Sequence, residues 1–460
     1  MITVSERRER EWKEGGKGDT IEAEERERER AREQAGDGVS ETRAPPPSPV
    51  QTPRNSAMDS IAEPSALLLL PPPSSTSVEQ FRLIYEPILT EALSRLSNNL
   101  NGSNHIAILD IALALPGLLS PKYLPRSKVF KPLQHFVANI YSLIGIIGVK
   151  NDIQLDAAGG IDARVILVDS DLSADTTTSA VPTGPIISLR TLATSTRLWD
   201  RVFYPGNQVG QKLATDFSSV YPQVEFPGIG GLQSIPNVPE WTASESLLAS
   251  EDPKDDAIAH YSVAVGGTFD HLHIGHKLLL TATVLALQPI TEADKERERV
   301  VTVGMTGDEL LVNKKYADVL ESWEERCRNT GSFLSAILDF GPPESSSTRT
   351  EIVSQPESHG KYILLMIRPQ LTLRLVKISD PFGPTITDEA ISAIVVSKET
   401  RSGGMAINEE RTKKGWRGLE VFEIDVLDTG NMSTGDVKDF ASKISSTDIR
   451  RRRTEMAQNQ

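Results

Sequence analysis

The stretch at residues 261–280, YSVAVGGTFDHLHIGHKLLL, restricts the possible folds of this chain more than any other part of it. It begins with a short apolar run rich in β-branched residues, which the pair Gly266 and Gly267 ends, and an apolar helical pattern starts near Ile274. When a strand, a glycine turn and a helix follow in this order, backbone N–H groups and the helix N-terminus face a phosphate. We therefore predict a phosphate-binding turn between a strand and a helix.

The side chains of this stretch suit the same chemistry. Gly266 and Gly267 have no Cβ, so a phosphate can lie against the backbone. Thr268 offers a hydroxyl to a phosphoryl oxygen. His273 and His276 are three positions apart and share one face if the first turn is helical. Imidazoles in this position can donate hydrogen bonds to a phosphate whose negative charge grows in a transition state.

The length and the charge of the chain limit its class. With 460 residues, we expect two or three domains. The net charge of −14 argues against a nucleic-acid or anionic-membrane binder, and the wholly apolar runs are too short to span a bilayer. The single cysteine, Cys327, excludes an internal disulfide and a cysteine-based zinc cluster. Since the N-terminus also lacks a secretory or mitochondrial pattern, we expect a cytoplasmic protein that binds neither nucleic acid nor membrane.

Charge and proline divide the first half of the chain into segments. Residues 1–43 are dominated by charged side chains and are predicted to be either a solvated single helix or disordered. Residues 44–76 are rich in Pro, Ser and Thr and are predicted to be a linker. Residues 77–235 alternate helical and strand patterns, which indicates a separate mixed α/β domain. Residues 236–257 form a second predicted linker.

The domain at residues 77–235 shows no cluster of chemically active side chains. His105 and His135 are isolated, so we assign them structural roles. Asp169 and Asp171 begin the polar stretch DSDLSADTTTSAVPTG, which we interpret as a solvated acidic loop and not as a metal site. We leave the role of this domain open, including binding of a protein partner through the N-terminal half.

Residues 258–453 contain further strand patterns that end in polar groups. ERVVTVGMTG reads as a second parallel strand, and Lys314 and Lys315 follow its carboxyl end, where ligands bind in open α/β sheets. An exposed loop pair remains the alternative for these lysines. TLRLVKI gives a third strand, AISAIVV a fourth and EVFEIDVL a fifth, whereas residues 340–360 look like a low-complexity loop insertion. Residues 454–460 are predicted to be a tail.

Two of these segments have the composition of anion sites. The fourth strand ends in a cation, hydroxyl groups and a glycine pair, and its polar residues are Ser397, Lys398, Thr400 and Arg401. Arg411, on the helix that should follow, is a weaker candidate. The last helix opens with KISSTDIRRR, so its N–H groups and hydroxyls can cap the helix and also meet phosphate oxygens. The residues concerned are Ser445, Ser446, Thr447 and, one turn later, Arg450.

These motifs carry a resemblance to a known superfamily. GGTFDHLHIGH resembles the His-x-Gly-His signature of the nucleotidyltransferases, which have a Rossmann-like fold with a parallel sheet. DPFGPTITDE followed by VVSKETRSGGMAIN is similar to the eukaryotic-type phosphopantetheine adenylyltransferases. The resemblance covers residues 258–453 and does not extend to residues 1–257.

The resemblance implies a reaction and a set of roles. ATP and 4′-phosphopantetheine would give dephospho-coenzyme A and pyrophosphate by direct in-line attack, with Mg²⁺ accompanying ATP. The expected catalytic residues are His276, on the α-phosphate, with His273 and Lys315. Asp270 is expected to stabilise the turn and not to bind a metal. The expected ATP-binding residues are Gly266, Gly267, Thr268, Phe269, His273, His276, Arg401, Ser445, Ser446, Thr447 and Arg450. The expected acceptor-binding residues are Thr268, Lys314, Lys315, Ser397 and Thr400.

The same resemblance leaves alternatives. The animal enzymes join this domain to dephospho-coenzyme A kinase, which needs a G-x-x-x-x-G-K-[ST] loop, and because the sequence contains no such motif we expect a monofunctional transferase. Another nucleotidyltransferase, such as a cytidylyltransferase or a nicotinamide mononucleotide adenylyltransferase, is one alternative. The other is an interaction protein whose N-terminal half scaffolds a coenzyme A synthesis complex.

Overall fold

The computed structural model describes residues 64–458, except for 101–102, 156–158, 173–182, 196, 222–230, 245–246, 249–255, 342–348, 356–358, 426, 428–439 and 441–444. The predictions for residues 1–43 and for most of the polar loop after Asp169 therefore lie outside the described residues. Residues Ala62–Gln460 form one compact unit. This unit contains two α/β sheets.

The first sheet has six parallel strands in the order β4-β3-β2-β1-β5-β6. Its strands are β1 (Ser65–Leu70), β2 (Ala107–Ala114), β3 (Ile161–Asp169), β4 (Ile186–Ser188), β5 (Arg201–Pro205) and β6 (Leu232–Ile235). The helices that connect them are α1 (Val78–Asn99), α2 (Phe130–Lys150), α3 (Leu189–Thr194) and α4 (Gln208–Val220). The side chain of Asn207 caps α4 by accepting a hydrogen bond from the backbone N–H of Gly210.

Strand β1 corrects the first predicted linker. Residues 65–70 lie inside the predicted linker but form a buried strand between β2 and β5. Leu68 and Leu70 enter one hydrophobic core and Leu67 and Leu69 the other, so both faces of the strand are covered. A short apolar run of this kind suits a parallel sheet with helices on both faces, and the prolines that follow end the strand without interrupting it.

The second sheet has seven strands in the order β13-β12-β7-β8-β11-β10-β9. Five of them are parallel, which confirms the predicted Rossmann-like parallel sheet, and β9 and β10 add to one edge in antiparallel pairs. The strands are β7 (Ser262–Gly267), β8 (Arg299–Thr306), β9 (Arg349–Ser354), β10 (Lys361–Arg368), β11 (Leu371–Ile378), β12 (Ala393–Val396) and β13 (Glu420–Glu423).

The antiparallel edge corrects a second prediction. The predicted loop insertion at residues 340–360 includes β9, whose side chains are mostly exposed, so its polar sequence gave no periodic apolar signal. The helices of this half are α5 (Ile274–Leu285), α6 (Trp323–Leu338), α7 (Arg401–Lys413) and α8 (Ser446–Gln458). Helix α8 extends past the predicted end of the domain at residue 453.

A shared layer of helices joins the two sheets. One continuous hydrophobic core contains side chains of α1 and α2 from the first half and of α5 and α6 from the second. At Gly145 on α2 an added Cβ would lie 2.7 Å from the Cδ1 atom of Ile274, so glycine permits the close approach of α2 and α5. Helix α2 is the one described helix long and apolar enough to cross a membrane, but 83% of its apolar window is buried, as in a core helix.

Candidate nucleotide site

The turn between β7 and α5 has a strained backbone that hydrogen bonds and an ion pair hold in place. The backbone of Phe269 (φ 52°) and of His271 (φ 48°) is left-handed, a conformation that residues other than glycine rarely adopt. One carboxylate oxygen of Asp270 accepts a hydrogen bond from the backbone N–H of Glu321 (3.0 Å), and the other pairs with the guanidinium of Arg450. The backbone N–H of His271 donates to the Glu321 carboxylate (2.8 Å). These contacts support the expectation that Asp270 stabilises the turn.

Arg326 on α6 connects the ends of β7 and β8. Its buried guanidinium donates to the backbone oxygens of Thr268 (2.7 Å) and Thr306 (2.9 Å) and pairs with Asp308. Sequence reasoning missed this residue, although a charged side chain inside an apolar helical pattern could have signalled it. The turn is thus held by Arg326 of α6 and by Arg450 of α8.

His273 and His276 lie together at the start of α5, as predicted. Their rings stack with centroids 3.8 Å apart and an interplanar angle of 20°, and the ring of Phe269 lies 5.3 Å from that of His276. The Nε2 atom of His273 is 3.3 Å from the hydroxyl of Ser446. The Nδ1 atoms of both histidines are buried and have no hydrogen-bond partner among the described residues. Buried polar atoms normally have a hydrogen-bond partner, and a bound phosphate would supply one.

Burial keeps both imidazoles neutral at pH 7. It lowers the pKa of His276 to about 4, and it lowers the pKa of His273 well below the ordinary value, with a further contribution from the neighbouring His276 and Lys277. Each ring can therefore donate one N–H to a phosphate without bringing a permanent positive charge into the site.

A cavity of about 570 Å³ opens beside the turn, at the carboxyl ends of β7, β8, β11 and β12. Strand order reverses between β7 and β12, and such switch points are where open α/β sheets bind ligands. Gly266 and Gly267 line the cavity together with Thr400 and the Gly403–Gly404 pair of α7. A Cβ added to Gly266 would meet nothing within 4 Å, so this glycine leaves the cavity open.

The predicted residues of the last helix lie close to the histidines. Ser446 donates its hydroxyl hydrogen to the backbone oxygen of Asp270 (2.9 Å) and thus lies next to His273. The buried guanidinium of Arg450 is already engaged: it pairs with Asp270 and also donates to the Lys315 carbonyl (3.0 Å) and the Thr447 hydroxyl (3.2 Å). Arg450 therefore holds the turn in place, a role that the sequence did not indicate. The carbonyl oxygen of Ser445 accepts a hydrogen bond from the backbone of Ile449 in the first turn.

The predicted cations of the loop after β8 and of the start of α7 are exposed, and none of them lines the cavity. Lys314 and Lys315 are exposed on the loop after β8. Arg401 begins α7, is 66% exposed, and lies 3.4 Å from the carboxylate of Glu423. Ser397 and Thr400 bond each other through their hydroxyls (3.1 Å), and only Thr400 of the two lines the cavity.

Two side-chain predictions are wrong for reasons of burial. The guanidinium of Arg411 is fully buried and donates to backbone carbonyls, among them those of Thr385 and Ile391, so it cannot meet a phosphate in the cavity. Asp169 is also fully buried and is not part of a solvated loop: its carboxylate accepts hydrogen bonds from the backbone N–H groups of Gly117 and Leu119. Phe269 is buried as well, which leaves only its backbone for a nucleotide.

One group of side chains among the described residues has the spacing of a metal site, but it does not fit a resident Mg²⁺. Potential ligand atoms of Asp270, His271 and Glu321 lie within 4.8 Å of one another. The Asp270 carboxylate is paired with Arg450, and Glu321 accepts the backbone N–H of His271. Mg²⁺ also prefers oxygen ligands and keeps several waters, which the nitrogen of His271 and two engaged carboxylates do not match.

The first half of the chain matches a known family model. Residues 56–238, which contain the first sheet, match a family described as "Domain of unknown function (DUF8446)". Over 272 residues the chain is 34% identical to "Uncharacterized protein C1F12.08" of Schizosaccharomyces pombe, a match that covers 58% of this chain and 69% of that protein.

Two further relatives carry a functional name. The chain is 34% identical over 215 residues to a phosphopantetheine adenylyltransferase of Saccharomyces cerevisiae, covering 47% of this chain and 56% of the yeast protein. It is 30% identical over 191 residues to a phosphopantetheine adenylyltransferase of Pyrobaculum aerophilum, covering 41% of this chain and 90% of the archaeal protein. The glycine turn, the histidine pair and these similarities agree, and the chain belongs to the phosphopantetheine adenylyltransferase family.

Proposed function

We propose that this protein transfers the adenylyl group of ATP to 4′-phosphopantetheine, giving dephospho-coenzyme A and pyrophosphate. The observation that carries the proposal is the stacked pair His273 and His276, whose buried Nδ1 atoms have no partner among the described residues. The pair does not line the open cavity itself, but it follows the cavity-lining Gly266 and Gly267 on the same turn. The relatives named for this activity support the choice of substrates.

The reaction is a direct displacement at phosphorus. An oxygen of the acceptor's phosphate attacks the α-phosphorus of ATP, a new P–O bond forms, and the bond to pyrophosphate breaks in line with it. Catalysis then rests on positioning and on hydrogen bonds to the charge that develops on the α-phosphate. His276 donates to that phosphate, His273 binds the neighbouring ATP phosphates, and Thr268 orients the attacking group.

The size of the cavity supports a nucleotide-sized ligand. Small-molecule sites measure about 300–1,000 Å³, and the cavity of about 570 Å³ lies in this range. The exposed first turn of α7, with Thr400 and Arg401, and the first turn of α8, with Ser446, each present helix N–H groups on this side of the sheet. We assign the triphosphate to these turns, with Mg²⁺ bound to it as part of the substrate.

The test is pyrophosphate release by the purified full-length protein given ATP, Mg²⁺ and 4′-phosphopantetheine. In His276→Ala we expect kcat to fall about 10²–10³-fold, as when one donor to a developing charge is removed. His135→Ala is the control, because His135 lies on α2, outside the turn between β7 and α5, and pairs with Asp425 (2.7 Å). CTP and nicotinamide mononucleotide test the other transferases.

Each outcome points to one conclusion. Release only with ATP and 4′-phosphopantetheine, lost in His276→Ala and kept in His135→Ala, supports the proposal. Release with CTP or nicotinamide mononucleotide would keep the reaction type and overturn the substrates. No release with any pair would favour the scaffold alternative.

The lysines need a separate test, because both are exposed and either can turn towards the acceptor. We expect Lys314→Met or Lys315→Met to raise KM for 4′-phosphopantetheine more than KM for ATP. If neither single change lowers kcat/KM, the assignment of these lysines to the acceptor phosphate is wrong.

A further inference from the structure

Lys277 is a buried cation that the proposed reaction does not use. It follows His276 directly in the chain and is 4% exposed. Its ammonium lies 2.5 Å from a carboxylate oxygen of Asp162 and 3.4 Å from the backbone oxygen of Ala163. Both partners lie at the start of β3, the second strand from the β4 edge of the first sheet. The helix that carries the histidine pair is therefore joined to the other half of the molecule by a charged contact.

Asp162 is part of a three-member network. Its second carboxylate oxygen accepts two hydrogen bonds from Arg164, at 3.0 Å from Nε and 2.7 Å from Nη2. Burial alone would raise the pKa of Asp162, but the charges of Lys277 and Arg164 lower it to about 2. The carboxylate thus stays ionised throughout the working range of pH. Ion pairs with little access to water interact more strongly than exposed ones, and removal of one partner leaves an uncompensated charge.

The position of Lys277 on α5 lets its contact with Asp162 affect the histidine pair. The backbone N–H of Lys277 donates to the carbonyl of His273 (3.0 Å), so the two residues are one turn apart and lie on the same face of the helix. On the same turn, Ile274 lies close to Gly145 of α2. The first turn of α5 is held by the first half of the chain at two points, one apolar and one charged.

We propose that Asp162 is a positioning residue: through Lys277 it holds the turn of α5 that carries His273 and His276 in the geometry needed for nucleotidyl transfer. The inference rests on the proposed function and extends it, because it gives the first sheet a part in the reaction of the second. The first sheet acts here through the orientation of a helix and touches neither substrate.

The test compares two contacts between the halves in the full-length protein. Asp162→Asn removes the charge that holds Lys277. Arg197→Met is the matched control: Arg197 pairs with Asp110 of the first sheet (3.1 Å) and donates to the carbonyls of Ala336 and Asp339 at the end of α6. Among the described residues, its hydrogen bonds do not reach α5. We expect both variants to lower Tm. Only Asp162→Asn should lower kcat, by about 10- to 100-fold, as expected when reacting groups are slightly misplaced.

A second measurement reads the histidines directly and does not depend on activity. In protein labelled with ¹⁵N at histidine, the imidazole signals of His273 and His276 should shift in Asp162→Asn and stay in place in Arg197→Met. If Asp162→Asn does not fold, Lys277→Met replaces it, because that change leaves Asp162 paired with Arg164 and creates no unpaired buried charge.

The outcomes separate this inference from the proposed function. If the wild-type protein releases no pyrophosphate with any substrate pair, the proposed function fails and the imidazole signals alone decide the positioning role. If the wild type is active, a fall in kcat no larger than that of Arg197→Met, with unshifted imidazole signals, overturns the inference.

Discussion

In both sheets the first strand lies between the strands that follow it: β1 lies between β2 and β5, and β7 lies between β8 and β12. Each sheet therefore has a switch point, where connections leave in opposite directions and a crevice forms at the carboxyl ends of the strands. In the second sheet this crevice is the open cavity lined by Gly266 and Gly267. The first sheet has the same strand arrangement, but different groups occupy its crevice.

The chain itself fills the crevice of the first sheet. Trp241 donates its indole N–H to the carbonyl of Pro72, directly after β1 (2.9 Å). At the other side of the crevice, the Asn207 side chain at the start of α4 donates to the carbonyl of Pro239 (2.8 Å). The next backbone N–H, that of Gln208, points to the carboxylate of Glu240 at 3.3 Å.

Glu240 shows how the crevice of the first sheet differs from that of the second. A helix N-terminus at a switch point is an anion site, and in the first sheet the anion is a carboxylate of the same chain. In the second sheet the start of α7 lines the open cavity instead. The architecture supplies the position for a phosphate, and the local side chains decide whether a ligand can use it. We therefore regard the first sheet as a support for the second and not as another nucleotide site.

The largest expected effect comes from removal of the first sheet. Deletion of residues 1–256 would expose the apolar face of α5 that meets α2 and would leave Lys277 without Asp162. We expect a fragment without a cooperative thermal transition and with kcat/KM lowered by more than about 100-fold, since positioning of the reacting groups is lost. Circular dichroism and pyrophosphate release measure the two effects.

Deletion of residues 1–60 is the control for this experiment, because it ends before β1 and leaves both sheets whole. It should keep Tm and kcat. A fragment of residues 257–460 with wild-type kcat would contradict the supporting role and return the first half to a partner-binding role.

A pair of glycines compares the two crevices directly. Gly266→Val places a side chain in the open cavity of the second sheet, where an added Cβ meets nothing within 4 Å. We expect little change in Tm and a rise in Kd for ATP of about tenfold, equivalent to 1.4 kcal/mol. Calorimetric titration with ATP measures the affinity.

Gly206→Ala is the counterpart after β5 in the first sheet. Its Cβ would lie 2.7 Å from the hydroxyl oxygen of Ser234 and 3.0 Å from the carbonyl oxygen of Ile235, and such overpacking costs about 1–3 kcal/mol of stability. Tm should fall while the affinity for ATP stays the same. If Gly206→Ala weakened ATP binding as much as Gly266→Val does, the first crevice would be a ligand site after all.

Trp241→Ala sharpens the comparison with a smaller effect. The change removes the hydrogen bond to Pro72 and the edge contact with Tyr85, whose ring centroid lies 6.1 Å away. Because Trp241 is only partly buried, we expect a loss of about 1–2 kcal/mol of stability, below the range for a fully buried aromatic residue. Urea unfolding measures the loss. KM for ATP should not change, and a second nucleotide-binding event in this variant would show that Trp241 blocks a functional site.

The sequence predicted the second sheet better than the first because its signals are local. The strand, the glycine turn and the two histidines occupy 20 consecutive residues, 261–280, and the structure brings them together as expected. The strand patterns of β8, β11, β12 and β13 were also correct. Strand β1 was missed because its run of six residues lies between proline-rich stretches, and composition outweighed the apolar run.

Contacts between distant residues account for the rest. Arg450 reads as a phosphate ligand from its place in a helix N-terminus, but its partner Asp270 lies 180 positions earlier. Lys277 and Asp162 are 115 positions apart, and no periodic pattern relates them. Glu240 reads as a linker residue until the start of α4 is seen beside it. Charged side chains that pair across a fold cannot be identified from spacing, because the pairing depends on how the sheets pack.

The smallest expected effect is a proton taken up when ATP binds to the second sheet. In the free protein burial holds the pKa of His276 at about 4, so the ring is neutral at pH 6. The negative charge of a bound triphosphate favours the imidazolium and raises this pKa. Between the two pKa values the complex holds more protons than the free protein, so ATP affinity should rise as pH falls from the pKa of the complex to about 4 and level off below that. Calorimetric titrations at pH 6 in two buffers of different ionisation enthalpy measure the uptake.

ATP itself also titrates near this pH, so His276→Ala supplies the baseline. The number of protons taken up on ATP binding should be smaller in this variant, by a fraction of one proton. Equal uptake by both proteins would mean that His276 lies too far from the phosphates to feel their charge, and the open crevice would then hold its nucleotide by the glycine turn and the helix ends alone.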